Sequence, residues 1–186
     1  MNVADWLERT DPAGLASELD RLDEAQRIAA CVELTADWQR RLWQLASNRP
    51  AEDGVLVPRD GDGESERFAG RNSLRVFSRF EKRFFRQGSR IFGFNQHALR
   101  PLIGPGYFAV RERPGGGLRF DYRELPSGSP GGWPAVSSNA SARSRSVYRD
   151  LVDEVVWVSR DVMVGAAFRH GEALNSYFVL ARIHGG

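Results

Sequence analysis

The sequence predicts an α+β fold, an antiparallel sheet or partly closed β-barrel with amphipathic helices at the N-terminus and packed around residues 72–87 and 146–158. Two observations carry this prediction. The first fifty residues combine helix-capping signals with a 3.6-residue apolar period, and the second half holds two strand–turn–strand segments rich in aromatic and β-branched side chains. A chain of 186 residues with 41% hydrophobic side chains is long enough to enclose a core. The organisation read from it is a helical segment over 1–47, a linker or surface loop over 48–70 and an α+β domain over 71–186.

At the N-terminus, Asp11 before Pro12 is a helix cap followed by proline at a position where its missing N–H costs nothing, and a short helix is expected to about Leu22. Asp23 and Gln26 then form a capping-box pattern. Ile28, Val32, Leu42 and Leu45 follow near one helical face, which predicts a single helix from Glu24 to about Ala46. Residues 48–70 are dominated by Gly, Pro and acidic side chains. Asp60, Asp62 and Glu64 there invite a calcium-loop reading, but Ser65 stands where the loop's glycine belongs and Arg71 where its bidentate glutamate belongs.

Between Arg67 and Arg100, nine basic residues stand against one acid, Glu81. Leu74, Phe77, Phe80 and Phe84 recur at helical spacing, with Arg71, Arg75, Arg79, Lys82, Arg83 and Arg86 on the remaining surface. The expectation is a basic amphipathic helix over 71–87. After Gly88 the texture turns to strands. RIFGFNQH is one, YFAVRER and LRFDYRE are joined by PGGG, and VMVGAAFR and SYFVLARI flank HGEALN, the last strand being apolar on both faces. A Ser/Gly/Pro loop around Trp133 separates the hairpins. The segment after it, SVYRDLVDEVVWVS, reads as a helix with Asp153 on its polar face, a long bulged strand being the alternative.

No run approaches the ~20 apolar residues of a membrane-spanning helix, and the first residues lack a secretory pattern, so a cytoplasmic protein is expected. One cysteine, Cys31, excludes an internal disulfide, and with His97, His170 and His184 it makes no structural metal cluster. No cofactor is expected. Gly104, Gly106 and Ala109 fit the loosest dinucleotide fingerprint, but Pro105 removes a donor and a strand follows where a helix should open. The net charge is +2, and Lys82 is the only lysine, which speaks for compositional bias rather than phosphate binding, so nucleic acid is not the expected partner. Asn139-Ala140-Ser141 is a sequon, read here as a loop sequence.

The segments GPGYF at 104–108, FDY at 120–122, VMVGAAFR and SYFVLAR resemble the calycin or lipocalin-like class of small antiparallel barrels, over residues 88–184. That resemblance implies an apolar or amphipathic molecule held inside a barrel. The short G-x-W element of the class is present at Gly131-Gly132-Trp133, in the middle loop rather than at the first strand, and no functional residue is carried over. Five strands are counted, where a ligand-holding barrel uses about eight.

Three functions follow as expectations. The first is binding of a small apolar or lipid-like molecule in a pocket of the sheet, with Asn95, His97, Tyr107, Tyr122, Trp133 and Tyr148 as its lining. The second is a cofactor-free enzyme of the isomerase, cyclase or hydrolase type, with His97 or Asp121 as acid/base and the middle loop as a lid. The third is an interaction protein that sets Arg75, Arg79 and Arg83 of the basic helix on an anionic surface or partner. A histidine or aspartate facing a cavity within reach of a second polar group favours catalysis, whereas an entirely apolar lining favours storage.

Overall fold

The computed structural model of the protein describes residues 3–47, 56–57, 65–74, 78–141 and 144–184. Among the described residues four helices precede the sheet: α1 (Val3–Arg9), α2 (Pro12–Arg21), α3 (Glu24–Val32) and α4 (Ala36–Ala46). The Asp11 side chain accepts from Gly14 N at 2.9 Å to start α2, and the Asp23–Gln26 box starts α3 as expected. The single helix expected over 24–46 is two helices, because Thr35 caps α4 by accepting from Trp38 N and the chain turns at Glu33 and the buried Leu34. No helix among the described residues is long and apolar enough to cross a membrane.

Eight strands follow: β1 (Ser65–Asn72), β2 (Arg79–Gln87), β3 (Arg90–Gln96), β4 (Phe108–Glu112), β5 (Leu118–Asp121), β6 (Leu151–Ser159), β7 (Val162–Arg169) and β8 (Glu172–Ile183), with a single-turn helix α5 (Arg100–Ile103) between β3 and β4. Each pairs antiparallel with its neighbour in sequence, and β1 pairs with β8 over six residues, so the sheet is a closed up-and-down barrel. Both expected hairpins are present, the second turning tightly on His170 and Gly171. The part of the linker from Ser65 to Gly70 is strand β1. The acidic positions of the calcium-loop reading lie outside the described residues.

Two expected helices are strands. The helix over 71–87 is replaced, from Arg79 onward, by β2, in which Phe80, Lys82 and Phe84 alternate inward while Arg79, Glu81 and Arg83 alternate outward. Phe80 and Phe84 satisfy the helical period and the period of two equally well, and sheet closure decides between them. Phe85 breaks the alternation because its outward face is also covered. The segment read as a helix over 146–158 is a turn followed by β6, with a bulge between Trp157 and Ser159, and Leu151, Asp153, Val155 and Trp157 point into the barrel.

Strands β6–β8 are apolar on both faces for a physical reason. Their inner residues join the barrel core, and their outer residues Val156, Val158, Val162, Val164, Val179 and Ala181 pack under Leu7, Leu15, Leu19, Leu34 and Leu42 of the helical layer. Each valine or leucine among them contributes about 1.5–3 kcal/mol when fully buried. The layer is also held by charge. Asp161 accepts from Arg182 at 3.1 Å and lies 3.2 Å from the Arg27 guanidinium of α3, and Arg182 reaches Glu66 on β1 and stacks 4.7 Å over the Phe68 ring. This cluster closes one end of the barrel.

On the opposite side, the long loop after Arg123 is an outer strap. Trp133 packs on Phe85 and Phe94, with ring centres 5.3 and 4.9 Å apart, and the Tyr107 hydroxyl donates to Pro134 O at 2.7 Å. Asn139 is buried and donates to the carbonyls of Tyr107 and Tyr122, both at 2.7 Å, so the sequon asparagine is an internal tie of the strap.

Candidate functional site

The barrel interior is packed solid in one half and hollow in the other. In the solid half Phe68, Phe84, Phe108, Phe120, Trp157, Met163 and Leu180 fill the space, with Phe84 at the centre of edge and tilted contacts to Phe68, Phe108 and Phe120 at 5.4–5.7 Å. Toward the start of β2 and β6 and the end of β3 and β7 the filling stops. A cavity of about 360 Å3 remains, walled by Phe80, Ile103, Val147, Leu151, Ala167 and Phe178, a size within the range of small-molecule sites. Glycines make room for its walls: a Cβ on Gly165 of β7 would collide with the Phe178 ring, and one on Gly106, whose φ is +57°, with the Tyr148 ring.

The cavity ends on a polar cluster at the boundary with the solid half. Lys82 Nζ donates to Asn95 Oδ1 at 2.8 Å, to Tyr122 Oη at 2.7 Å and to Asp153 Oδ2 at 3.4 Å, which uses its three hydrogens. The Tyr122 hydroxyl donates to Asp153 Oδ2 at 3.2 Å and accepts from Asn95 Nδ2 at 3.1 Å, and Asn95 also donates to Gly106 O. Five rings surround the ammonium, those of Phe108, Phe178, Phe120, Tyr122 and Phe80, at 4.7–5.6 Å from Nζ. Burial moves every titration in this group. It lowers Lys82 to about 8 against the opposing pull of Asp153, raises the Asp153 carboxyl against the opposing pull of Lys82, and raises Tyr122 well above the ordinary phenol value.

A second polar pair stands beside the first. His97 Nε2 lies 3.0 Å from Tyr148 Oη, and the Tyr148 ring stacks on Tyr122 at 5.4 Å with an interplanar angle of 5°. Burial, with Arg100 and then Lys82, lowers the His97 pKa, so the imidazole is neutral at pH 7. The mouth is rimmed by Leu74 and Leu174, which with Leu102 on α5 are the exposed large hydrophobic side chains among the described residues. Arg169, also at the mouth, donates to Val147 O at 3.1 Å.

Of the residues singled out in the sequence, Asn95, His97, Tyr122 and Tyr148 line this cavity. Tyr107 and Trp133 do not, because Tyr107 lies in the outer layer under the strap and Trp133 is part of the strap, which covers the outside of β2–β4 rather than acting as a lid. Asp121 also lies elsewhere. It faces an outer groove with Arg111, Arg119 and Glu154, and although partial burial raises its pKa, two hydrogen bonds from the Arg123 side chain outweigh this and hold the carboxyl below its usual range. Arg79 and Arg83 are on the outer face of β2, Arg83 pairing with Glu81, so the helix that was to present them is absent, and Arg75 lies outside the described residues. Lys82 and Asp153 were missed, having been placed on the polar faces of helices. The signal that finds them is the period of two: Phe80-Lys82-Phe84 and Leu151-Asp153-Val155 each set one charge between inward apolar neighbours.

Among the described residues no group of three or more His, Cys, Asp and Glu side chains has the arrangement of a metal site. Comparison with known proteins returns no match, whether to family models, to curated proteins or to solved structures.

Proposed function

We propose that the barrel binds a small amphipathic molecule, with its apolar body between Phe80, Leu151, Ala167 and Phe178 and its polar end on the Lys82–Asn95–Tyr122–Asp153 cluster. The observation that carries this reading is the placement of a hydrogen-bonded polar cluster at the inner limit of a cavity whose walls include Phe80, Leu151, Ala167 and Phe178. A buried ion pair is weak as a source of stability, since an apolar pair of the same volume serves a core as well or better. Its position against open space gives it a recognition role instead. The exposed leucines at the mouth offer an apolar guest a path in, and the closed eight-stranded barrel supports the likeness to calycin-type binders.

Calorimetric titration with hydrocinnamyl alcohol, an aromatic body with one polar end, tests this reading. Saturable binding at one site per chain is expected, weakened roughly tenfold or more by Ala167→Phe, which projects a ring into the cavity. Absence of saturable binding, or equal binding by the filled variant, contradicts it.

A second reading has its own observation. Asp153 faces the cavity within 3.4 Å of Lys82 and 3.2 Å of Tyr122, and His97 contacts Tyr148, an arrangement able to pass protons to and from a bound carbonyl or hydroxyl group. It supports cofactor-free acid/base chemistry on the same guest. Turnover of a bound carbonyl compound that is lost in Asp153→Asn while binding persists is the expected signature.

A further inference from the structure

We propose that Lys82 is a carbonyl-capture site: its amine condenses reversibly with an aldehyde carried on an apolar body and holds it in the cavity as a protonated imine paired with Asp153. This inference rests on the reading of the cavity as an amphipathic site and goes beyond it by naming the chemical class of the polar end and a covalent bond to it.

The geometry has each part the step needs. The only lysine of the chain sits at the inner limit of the cavity, and its Nζ lies among five aromatic rings. Asp153 Oδ2, 3.4 Å away, can take one ammonium proton and leave a nucleophilic amine. The amine lone pair then attacks the aldehyde carbon as the C=O π pair moves to oxygen, and that oxygen is protonated from Asp153. The nitrogen of the resulting carbinolamine, still carrying two hydrogens and a positive charge, returns one proton to Asp153, which passes it to the oxygen, and water is expelled as the freed nitrogen lone pair forms the C=N bond. In sum, an ammonium and an aldehyde give a protonated imine and one water, with no oxidant or reductant. The charge on nitrogen is the same before and after, so the Asp153 carboxylate that balances the ammonium balances the product equally well. Asn95 and Tyr122, which accept from the ammonium, are left beside the leaving oxygen.

Burial also makes the neutral amine accessible, having brought the lysine down to about 8. Its surroundings differ from those of a purely structural ion pair. The pair borders open space on the cavity side, and a ligand reaching Phe80 and Phe178 necessarily approaches the nitrogen they flank.

The test incubates the intact protein at pH 7 with hydrocinnamaldehyde and cyanoborohydride, which reduces an imine to a stable secondary amine, and reads intact mass and the modified peptide. An adduct mapped to Lys82 is expected, with or without a second one on the N-terminal amine. The Lys82 adduct should form on the order of a hundredfold faster than in the urea-unfolded chain, and excess hydrocinnamyl alcohol should suppress it. Saturable binding of the alcohol with Lys82 left unmodified overturns the imine and leaves the binding reading standing. Adducts confined to the N-terminal amine, or labelling of Lys82 no faster than in urea, overturn the imine as well. Failure of the alcohol to bind, together with absence of labelling, overturns both.

Discussion

Replacing Lys82 by methionine leaves the volume of the site nearly unchanged and removes one member of a buried pair. In the wild type the ammonium makes three hydrogen bonds at 2.7, 2.8 and 3.4 Å, and the Asp153 carboxylate it balances has a side chain only 6% exposed. Without it, Asp153 keeps the Tyr122 hydroxyl but faces a ring of phenylalanines, and it must either remain charged at high cost or take up a proton. Breaking such a pair costs about 3–5 kcal/mol. In urea unfolding, with a slope of ~2 kcal/mol per M, a loss of ~4 kcal/mol lowers the midpoint by about 2 M. Asp153→Leu alone should cost a similar amount, because it strands the ammonium. The double variant Lys82→Met with Asp153→Leu removes both charges together and should unfold within about 1 kcal/mol of the wild type, or later. The coupling between the two sites is then about 5 kcal/mol or more. A double variant as unstable as the sum of the singles would refute the reasoning, since the two side chains would then act independently. The double variant, folded but without its polar cluster, should also bind hydrocinnamyl alcohol markedly more weakly than the wild type does.

Other outcomes follow from the same structure. Lys82 has its folded-state pKa below its ordinary value of 10.5, so the unfolded chain binds more protons between pH 8 and 10.5; stability should rise with pH from about 8 to 9 and this rise should vanish in Lys82→Met, as urea midpoints at stepped pH would show. Burial raises the Cys31 thiol to about 12; above pH 9 it opposes the lysine contribution, and in the native protein Ellman's reagent should react with it only at the rate of unfolding. Asp161→Ala removes the carboxylate between Arg27 and Arg182, whose side chains are 6% and 10% exposed; a loss of about 3 kcal/mol is expected in urea with alcohol binding retained, because this cluster closes the opposite end of the barrel. Gly165→Ala pushes a methyl group into the Phe178 ring; it should cost about 1–3 kcal/mol and weaken alcohol binding together, read by urea unfolding and calorimetry.

The legible parts of the fold are those in which local signals agree with the tertiary result. The Asp11 and Asp23 caps, the PGGG connection between β4 and β5 and the β7–β8 hairpin all depend on residues a few positions apart. Strands β2 and β6 were misread because closure imposes on them a period that their sequences only half display. In β2, Phe80 and Phe84 suit a helix, and the outward Phe85 is apolar for the sake of Trp133, which lies in a distant loop. In β6, Val156 and Val158 are apolar for the sake of the helical layer, so the strand shows no clean alternation. The candidate site was half legible for the same reason. Aromatic and amide residues at strand ends, Asn95, His97, Tyr122 and Tyr148, could be proposed from residue type alone, whereas a lysine among arginines looks like surface until its alternation partners are known to be core. Tyr107 and Trp133 have the same composition signature and belong to the outside of the sheet, a distinction that only the strap reveals.

Because the chain has a single lysine, the ζ-nitrogen NMR signal of lysine-labelled protein reports on Lys82 alone. Titration with hydrocinnamyl alcohol should move that signal saturably, along the same isotherm as the calorimetric heat. A guest that binds with this signal unmoved, or a signal whose pH titration and shift match free lysine in water, would contradict the account.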